Sequence, residues 1–177
     1  MNRYHFDIIR PEYYEDIKAF RKEMLESGSS FDGCNMLEEY EDIEKWDLNC
    51  QLFEKRESCP PGYGIGYEYL YLCDDKVVGM VNLRPYIDDH PFLRMYGGHI
   101  GYSIRPNMRG RHYGDMMLRM FLDLCKRNFG LDRVLITCLE DNMASERIIE
   151  RNGGVYEGSI FYPPEGKNIK RYWIEIR

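Results

Sequence analysis

Residues 108–114 read Met-Arg-Gly-Arg-His-Tyr-Gly, which combines two glycines with two arginines. A strand pattern, His99-Ile-Gly-Tyr-Ser-Ile104, precedes this stretch, and a helix pattern near residues 113–129 follows it. That position matters chemically. The first N–H groups of a helix lack intrahelical partners, and the positive end of the helix dipole lies behind them. Glycines keep side chains away from those amides, and Arg109 and Arg111 add charge. Such a turn is an anion site, and a diphosphate is its natural occupant.

The strand 99–104, the turn, the helix and the apolar strand Arg133-Val-Leu-Ile-Thr-Cys-Leu139 form a βαβ unit. A crossover of this kind is expected to lay the two strands parallel. Ligands of open α/β sheets sit beyond the carboxyl ends of the strands, where the following helix begins. Residues 108–114 occupy that point. Other phosphate-binding patterns are absent or misplaced. Gly62-Tyr-Gly-Ile-Gly66 precedes a strand where a dinucleotide fingerprint must follow one, and no Gly-x4-Gly-Lys-Ser/Thr occurs.

Ile100-Gly-Tyr-Ser-Ile-Arg-Pro106 followed by Arg109-Gly-Arg-His-Tyr-Gly114 resembles the coenzyme A motif of the GNAT N-acetyltransferases. Asn142-Met-Ala-Ser-Glu-Arg-Ile-Ile-Glu-Arg-Asn-Gly153 resembles that family's second motif, a helix after the next strand. With the hairpins, the resemblance covers most of the chain from about Phe6; the N-terminal helices match only in type. It implies that backbone groups of Tyr102, Ser103 and Ile104 pair with pantetheine and polarise a thioester carbonyl. It also implies that the amides of Arg109, Gly110, Arg111, His112, Tyr113 and Gly114 hold the pyrophosphate. Asn142, with Ser145 nearby, would bond the pantetheine arm from the other side. A neutral amine would attack acetyl-CoA directly, without a covalent enzyme intermediate.

Two positions depart from the family pattern. His112 stands where the family usually has glycine, which is tolerable if its φ is negative. Ile149 stands where many members carry the tyrosine that protonates the leaving thiolate. Either a tyrosine of the closing hairpin serves instead (Tyr156, Tyr162 or Tyr172), or coenzyme A leaves as a thiolate that solvent protonates. His99 is the candidate base, because it starts the strand implied to line the acetyl site and its ordinary pKa near 6.5 suits proton acceptance. The other reading of His99 is a histidine hydrogen-bonded at a sheet end. Glu68, on a neighbouring strand, is a second candidate base. Cys138 could act as a nucleophile, although buried strand cysteines are mostly inert.

The remaining chain supplies the frame. A short strand near Phe6–Arg10 leads through Pro11 into a helix to about Leu25, and the acidic stretch from Leu37 to about Lys55 reads as a helix or a pair of short ones. Glu68–Cys73 and Val77–Leu83 read as a hairpin across Asp74-Asp75-Lys76. Met117, Met120, Phe121 and Leu124 fall on one face of the helix near 113–129. Val155–Tyr162 and Ile169–Ile176 close the chain as a second hairpin. The expected fold is α/β (α+β): one domain over residues 1–177, with a mixed central sheet of about six to seven strands flanked by helices and a βαβ acetyl-CoA-binding core.

Composition narrows the partners. A net charge of −6 argues against nucleic acid or an anionic membrane surface. No run approaches a membrane span, the start lacks an apolar signal region, and the six cysteines form no CxxC pair. The expectation is a cytoplasmic protein with reduced thiols and no metal site. Glu38, Glu39, Glu41, Asp42, Glu44 and Asp47 read either as a solvated helix face or as a rim that attracts a cationic amine. A small-molecule amine is the expected partner, and the family resemblance also implies a possible homodimer.

Overall fold

The computed structural model describes residues 3–177, which form two compact units. The first comprises the chain up to Leu83 together with Gly101–Tyr113, and the second comprises Arg84–Ile100 with Gly114–Arg177.

In the first unit β1 (Tyr4–Asp7), β2 (Tyr67–Cys73), β3 (Lys76–Leu83) and β4 (Ile100–Ile104) follow one another across a four-stranded sheet. β4 begins one residue before this unit's second segment. Asp74 and Asp75 both take left-handed conformations, the geometry a two-residue hairpin between β2 and β3 demands. One sheet face carries Leu70, Leu72, Val77 and Met80. Helix α1 (Tyr14–Glu26) buries Ile17, Phe20 and Met24 against it, one helical face at i, i+3 and i+7. Helix α2 (Ile43–Phe53) adds Ile43, Trp46 and Cys50. Asp42 sets where α2 starts, because its carboxylate accepts from the N–H groups of Glu44 and Lys45. The acidic stretch is therefore two helical pieces, a single turn at Leu37–Glu39 and then α2.

Arg105 ties α1 to the sheet. Its N–H donates to Val78 O at 2.8 Å, while its guanidinium reaches Asp16 Oδ1 at 2.9 Å and Glu23 Oε1 at 2.7 Å. Asp16 in turn accepts from the Val77 N–H at 2.7 Å.

In the second unit β5 (Arg133–Leu139), β7 (Lys167–Glu175) and β6 (Val155–Tyr162) form an antiparallel sheet in the order β5-β7-β6. Helix α3 (Tyr113–Phe129), whose first residue belongs to the first unit, buries Gly114, Met117, Leu118, Phe121, Leu122 and Cys125. The expected stripe was right at Met117 and Phe121 but too narrow: Leu118, Leu122 and Cys125 widen it, and Met120 and Leu124 lie at its margin. Helix α4 (Met143–Arg151) completes the unit.

The mixed α/β class and the seven strands agree with the sequence reading. The single central sheet does not: β4 ends one sheet and β5 begins the other, so the expected parallel β4–β5 ladder is absent among the described residues. The backbone of β5 pairs with the closing strand β7 instead.

Removing Arg105 would strand two part-buried carboxylates beside a backbone N–H. Arg105→Ala is expected to destabilise the protein by roughly 3 kcal/mol, read from urea unfolding midpoints.

Candidate active site

β4 is paired along one edge with β3. Arg84 N–H donates to His99 O at 2.7 Å and Arg105 N–H to Val78 O at 2.8 Å, which fixes an antiparallel register of β4 against β3. In that register the backbone groups of Gly101 and Ser103 face β3, whereas those of Tyr102 and Ile104 face the opposite edge. That opposite edge takes no strand of its own sheet. Two of the three residues expected to pair with pantetheine, Tyr102 and Ile104, therefore turn their backbone groups away from β3, and the Ile104 carbonyl accepts there from Arg109 Nε at 2.9 Å. The third, Ser103, faces β3, and its side chain has another task.

The Ser103 hydroxyl donates to Asp32 O at 2.7 Å, which pins the loop after α1 to β4. Beside it Gly33 crosses at left-handed φ +72°, and a Cβ there would stand 2.2 Å from Gly101 O and 2.4 Å from Tyr102 N. Only glycine permits so close a crossing. Sequence reasoning missed this loop, since an isolated glycine in a polar stretch signals a turn and not what it crosses.

The turn after β4 has the backbone an anion site requires. Gly110 is left-handed at φ +74° with nothing within 4 Å of a Cβ position, and His112 is left-handed at φ +61°. Left-handed residues at alternate positions curl successive N–H groups toward one side, the concavity called a nest. The condition set for His112, a negative φ, is not met. This histidine holds a conformation natural to the glycine the family carries there. Arg109 is not a free charge either: its Nε donates to Ile104 O at 2.9 Å and its Nη2 approaches Met24 Sδ at 3.5 Å. Arg111 remains exposed, and Tyr113 opens α3. These residues fit a diphosphate, through backbone amides more than through arginine charge.

In the second unit Asn142 caps α4, its Oδ1 accepting from Ser145 N–H at 3.1 Å. The Nδ2 amide is then the part of Asn142 that can donate to a ligand. Gly114 is buried in the first turn of α3, and Asp115 beside it accepts from Arg151 Nη1 at 3.0 Å. Ile149 is fully buried, and a Cβ on Gly154 would stand 2.5 Å from its Cγ2. The position of the family tyrosine is a packing position here.

The candidate acids and bases separate clearly. His99 is 7% exposed, and its backbone N–H donates to Leu135 O at 2.7 Å while its Nδ1 accepts from Leu135 N–H at 2.9 Å. Burial pushes its pKa down to about 4. An imidazole so engaged is a weak base at neutral pH, so the geometry favours the sheet-end reading over the catalytic one. Tyr172 is buried, and its hydroxyl donates to Glu146 Oε1 at 2.7 Å; burial and then that carboxylate raise its pKa. Tyr162 packs its ring 5.0 Å from that of Tyr96. Tyr156 is exposed, with its hydroxyl 2.8 Å from Ser159 Oγ. Cys138 is buried and its thiol is raised to about 11 by that burial, which opposes a nucleophilic role. Glu68 is 6% exposed and accepts from Asn82 Nδ2 at 3.0 Å. Among the described residues no group of His, Cys, Asp or Glu gathers as a metal site.

Two measurements follow. His112→Gly should relieve the left-handed strain and raise stability by roughly 0.5–1 kcal/mol, seen as a higher thermal midpoint. His99 has a folded pKa below its unfolded value, so its contribution is present above pH about 6.5 and is lost as pH falls toward about 4. His99→Asn keeps an acceptor for Leu135 but cannot titrate. It should flatten the acid limb of stability between those values by up to roughly 3 kcal/mol.

Comparison with known proteins agrees with this architecture. A family profile described as an acetyltransferase (GNAT) domain matches residues 10–155. No curated protein sequence matches. Among solved structures, the ribosomal L7/L12 alpha-N-protein acetyltransferase RimL in complex with coenzyme A has a TM-score of 0.72 at 18% identity, covering 98% of this chain and 94% of its own. The microcin C7 self-immunity acetyltransferase MccE, in complex with acetyl-CoA and AMP, has a TM-score of 0.72 at 16% identity, covering 98% and 92%. A spermidine N-acetyltransferase chimera from Vibrio cholerae and hSSAT has a TM-score of 0.62 at 15% identity, covering 97% and 94%. At these identities the likeness is one of fold. The profile match spans most of the chain, and on that basis the chain belongs to the GNAT acetyltransferase family.

Proposed function

We propose that this protein is a single-domain N-acetyltransferase that moves the acetyl group of acetyl-CoA to a primary amine by direct attack in a ternary complex. A small metabolite or polyamine-like amine is the favoured acceptor. The observation that carries the reading is β4, whose Tyr102 and Ile104 backbone groups point away from β3 just before a left-handed, amide-rich turn.

The thioester supplies an activated acyl group; the chain's own residues bind, align and move protons. The Tyr102 backbone and the N–H of Ile104, whose own carbonyl is taken by Arg109, align the pantetheine arm and polarise the thioester carbonyl. Amides from Arg109 to Gly114 hold the pyrophosphate, and Asn142 and Ser145 bond the arm through α4. Glu68 is the carboxylate left to accept a proton from the ammonium, since Leu135 engages His99. Tyr156 is the hairpin tyrosine with an exposed hydroxyl, which suits a proton donor to the thiolate. Six free cysteines fit a reducing cytoplasm. No helix among the described residues is long and apolar enough to cross a membrane. A homodimer is compatible with exposed Val155, Tyr156 and Phe161 on the edge strand β6.

A second reading, a coenzyme A-binding module with little catalysis, is favoured by one observation: buried Ile149 in place of the family tyrosine. A third keeps the chemistry but takes a protein N-terminus or lysine as acceptor, as the RimL structure's name describes for that protein. Titration with acetyl-CoA and a thiol-release assay over amines and peptides separate the three. Gly110→Asp tests the nest directly, because aspartate tolerates the left-handed backbone but repels a diphosphate. It should weaken acetyl-CoA binding by about tenfold or more, with Gly110→Asn weakening it much less. Unchanged affinity in Gly110→Asp would move the pyrophosphate elsewhere.

A further inference from the structure

The end of α4 is fastened to the beginning of α3. Arg151, in the last turn of α4, donates from Nη1 to Asp115 Oδ2 at 3.0 Å. Asn152, the residue that caps α4, donates from Nδ2 to the Asp115 carbonyl at 3.3 Å and to Ile148 O at 2.9 Å. The turn that presents these two residues is itself fixed. Gly153 is left-handed at φ +87°, and Gly154 N–H donates to Ile149 O at 2.9 Å beside the buried Ile149 side chain. α4 thus holds Asp115 by its side chain and by its backbone, and every residue of this clamp lies in the second unit.

An acidic residue at this place has an electrostatic consequence. The first four N–H groups of α3 have no intrahelical acceptor, and the positive end of the dipole attracts any carboxylate close by. Asp115 follows Gly114 directly in the chain. Its carboxylate therefore stands within about 8 Å, one Debye length at physiological ionic strength, of an anion held at the Gly114 amide. The Asp115 side chain is 13% exposed, so solvent screens it poorly. Two like charges so placed repel each other.

The turn before α3 has little charge to set against that repulsion. Arg109 turns its guanidinium to Ile104 O, and Arg111 is the exposed arginine of the turn. One uncompensated carboxylate would cancel it. Arg151 supplies the compensation from outside the motif. Its own side chain is 55% exposed, and an ion pair with so open a partner adds little to stability. The larger effect of the pair falls on the charge that an anion meets at the start of α3.

We propose that Arg151 is a positioning residue for the diphosphate of acetyl-CoA. It neutralises Asp115 and keeps it on α4, so that the first amides of α3 serve the phosphate and not the helix's own carboxylate. The proposal rests on the reading of residues 109–114 as the acetyl-CoA turn.

Calorimetric titration with acetyl-CoA, at low and at high salt, of the wild type, Arg151→Gln, Asp115→Asn and the double variant tests this role. Arg151→Gln should weaken binding by about tenfold at low salt, with a smaller deficit at high salt. Adding Asp115→Asn to it should bring the affinity back to within about twofold of the wild type, since the repelling charge is then gone. A contact that only supported the fold would not be restored by a second loss. Asp115→Asn alone should tighten acetyl-CoA by about threefold, and this variant carries the test if Arg151→Gln fails to fold. Wild-type affinity in Arg151→Gln, a double variant as weak as Arg151→Gln, or Asp115→Asn binding no more tightly than the wild type overturns the role of Arg151 and leaves the acetyltransferase reading intact. A wild type that does not bind acetyl-CoA overturns both.

Discussion

A strand with one edge unclaimed by its sheet is the constraint on which this structure turns. Backbone N–H and C=O groups at such an edge need partners. β4 is fastened at several points. β3 holds its inner edge, Arg105 locks its exit to Val78 and α1, and Ser103 holds the loop that crosses it. At its entry, His99 exchanges two hydrogen bonds with Leu135, one through the backbone and one through the ring. A binding strand must be rigid before it meets its ligand, and each of these contacts removes freedom that binding would otherwise have to remove.

The turn that follows is distinguished by its backbone conformation more than by free charge. Gly110 and His112 are both left-handed, and Arg109 turns its guanidinium back to Ile104 O. Amides held in place act at short range on a phosphate without the desolvation that a mobile arginine carries. A histidine at a left-handed position costs of order 1 kcal/mol, and strain of that kind persists where surrounding structure and function hold it.

The groups first considered for proton transfer are engaged elsewhere. The residue best suited by its ordinary pKa, His99, is spent on the sheet, and the position of the family tyrosine holds a packed isoleucine. Other ionisable groups are the buried, hydrogen-bonded carboxylates Glu68 and Asp47 and exposed phenols such as Tyr156.

Local pattern was enough to read the elements and the hairpin at Asp74-Asp75, because each is decided by neighbours within a few residues. The acidic stretch was legible as charge, but only burial separates Asp47 in its cleft from the exposed Glu38, Glu39 and Glu44. Tertiary structure alone decided that β5 pairs with β7 and not β4, that Gly33 crosses Gly101, and that His99 serves Leu135. These depend on contacts between residues tens of positions apart, and no periodicity of 2 or 3.6 encodes such a meeting. The sequence alone thus pointed to the family; the fold decided which polar groups are already engaged.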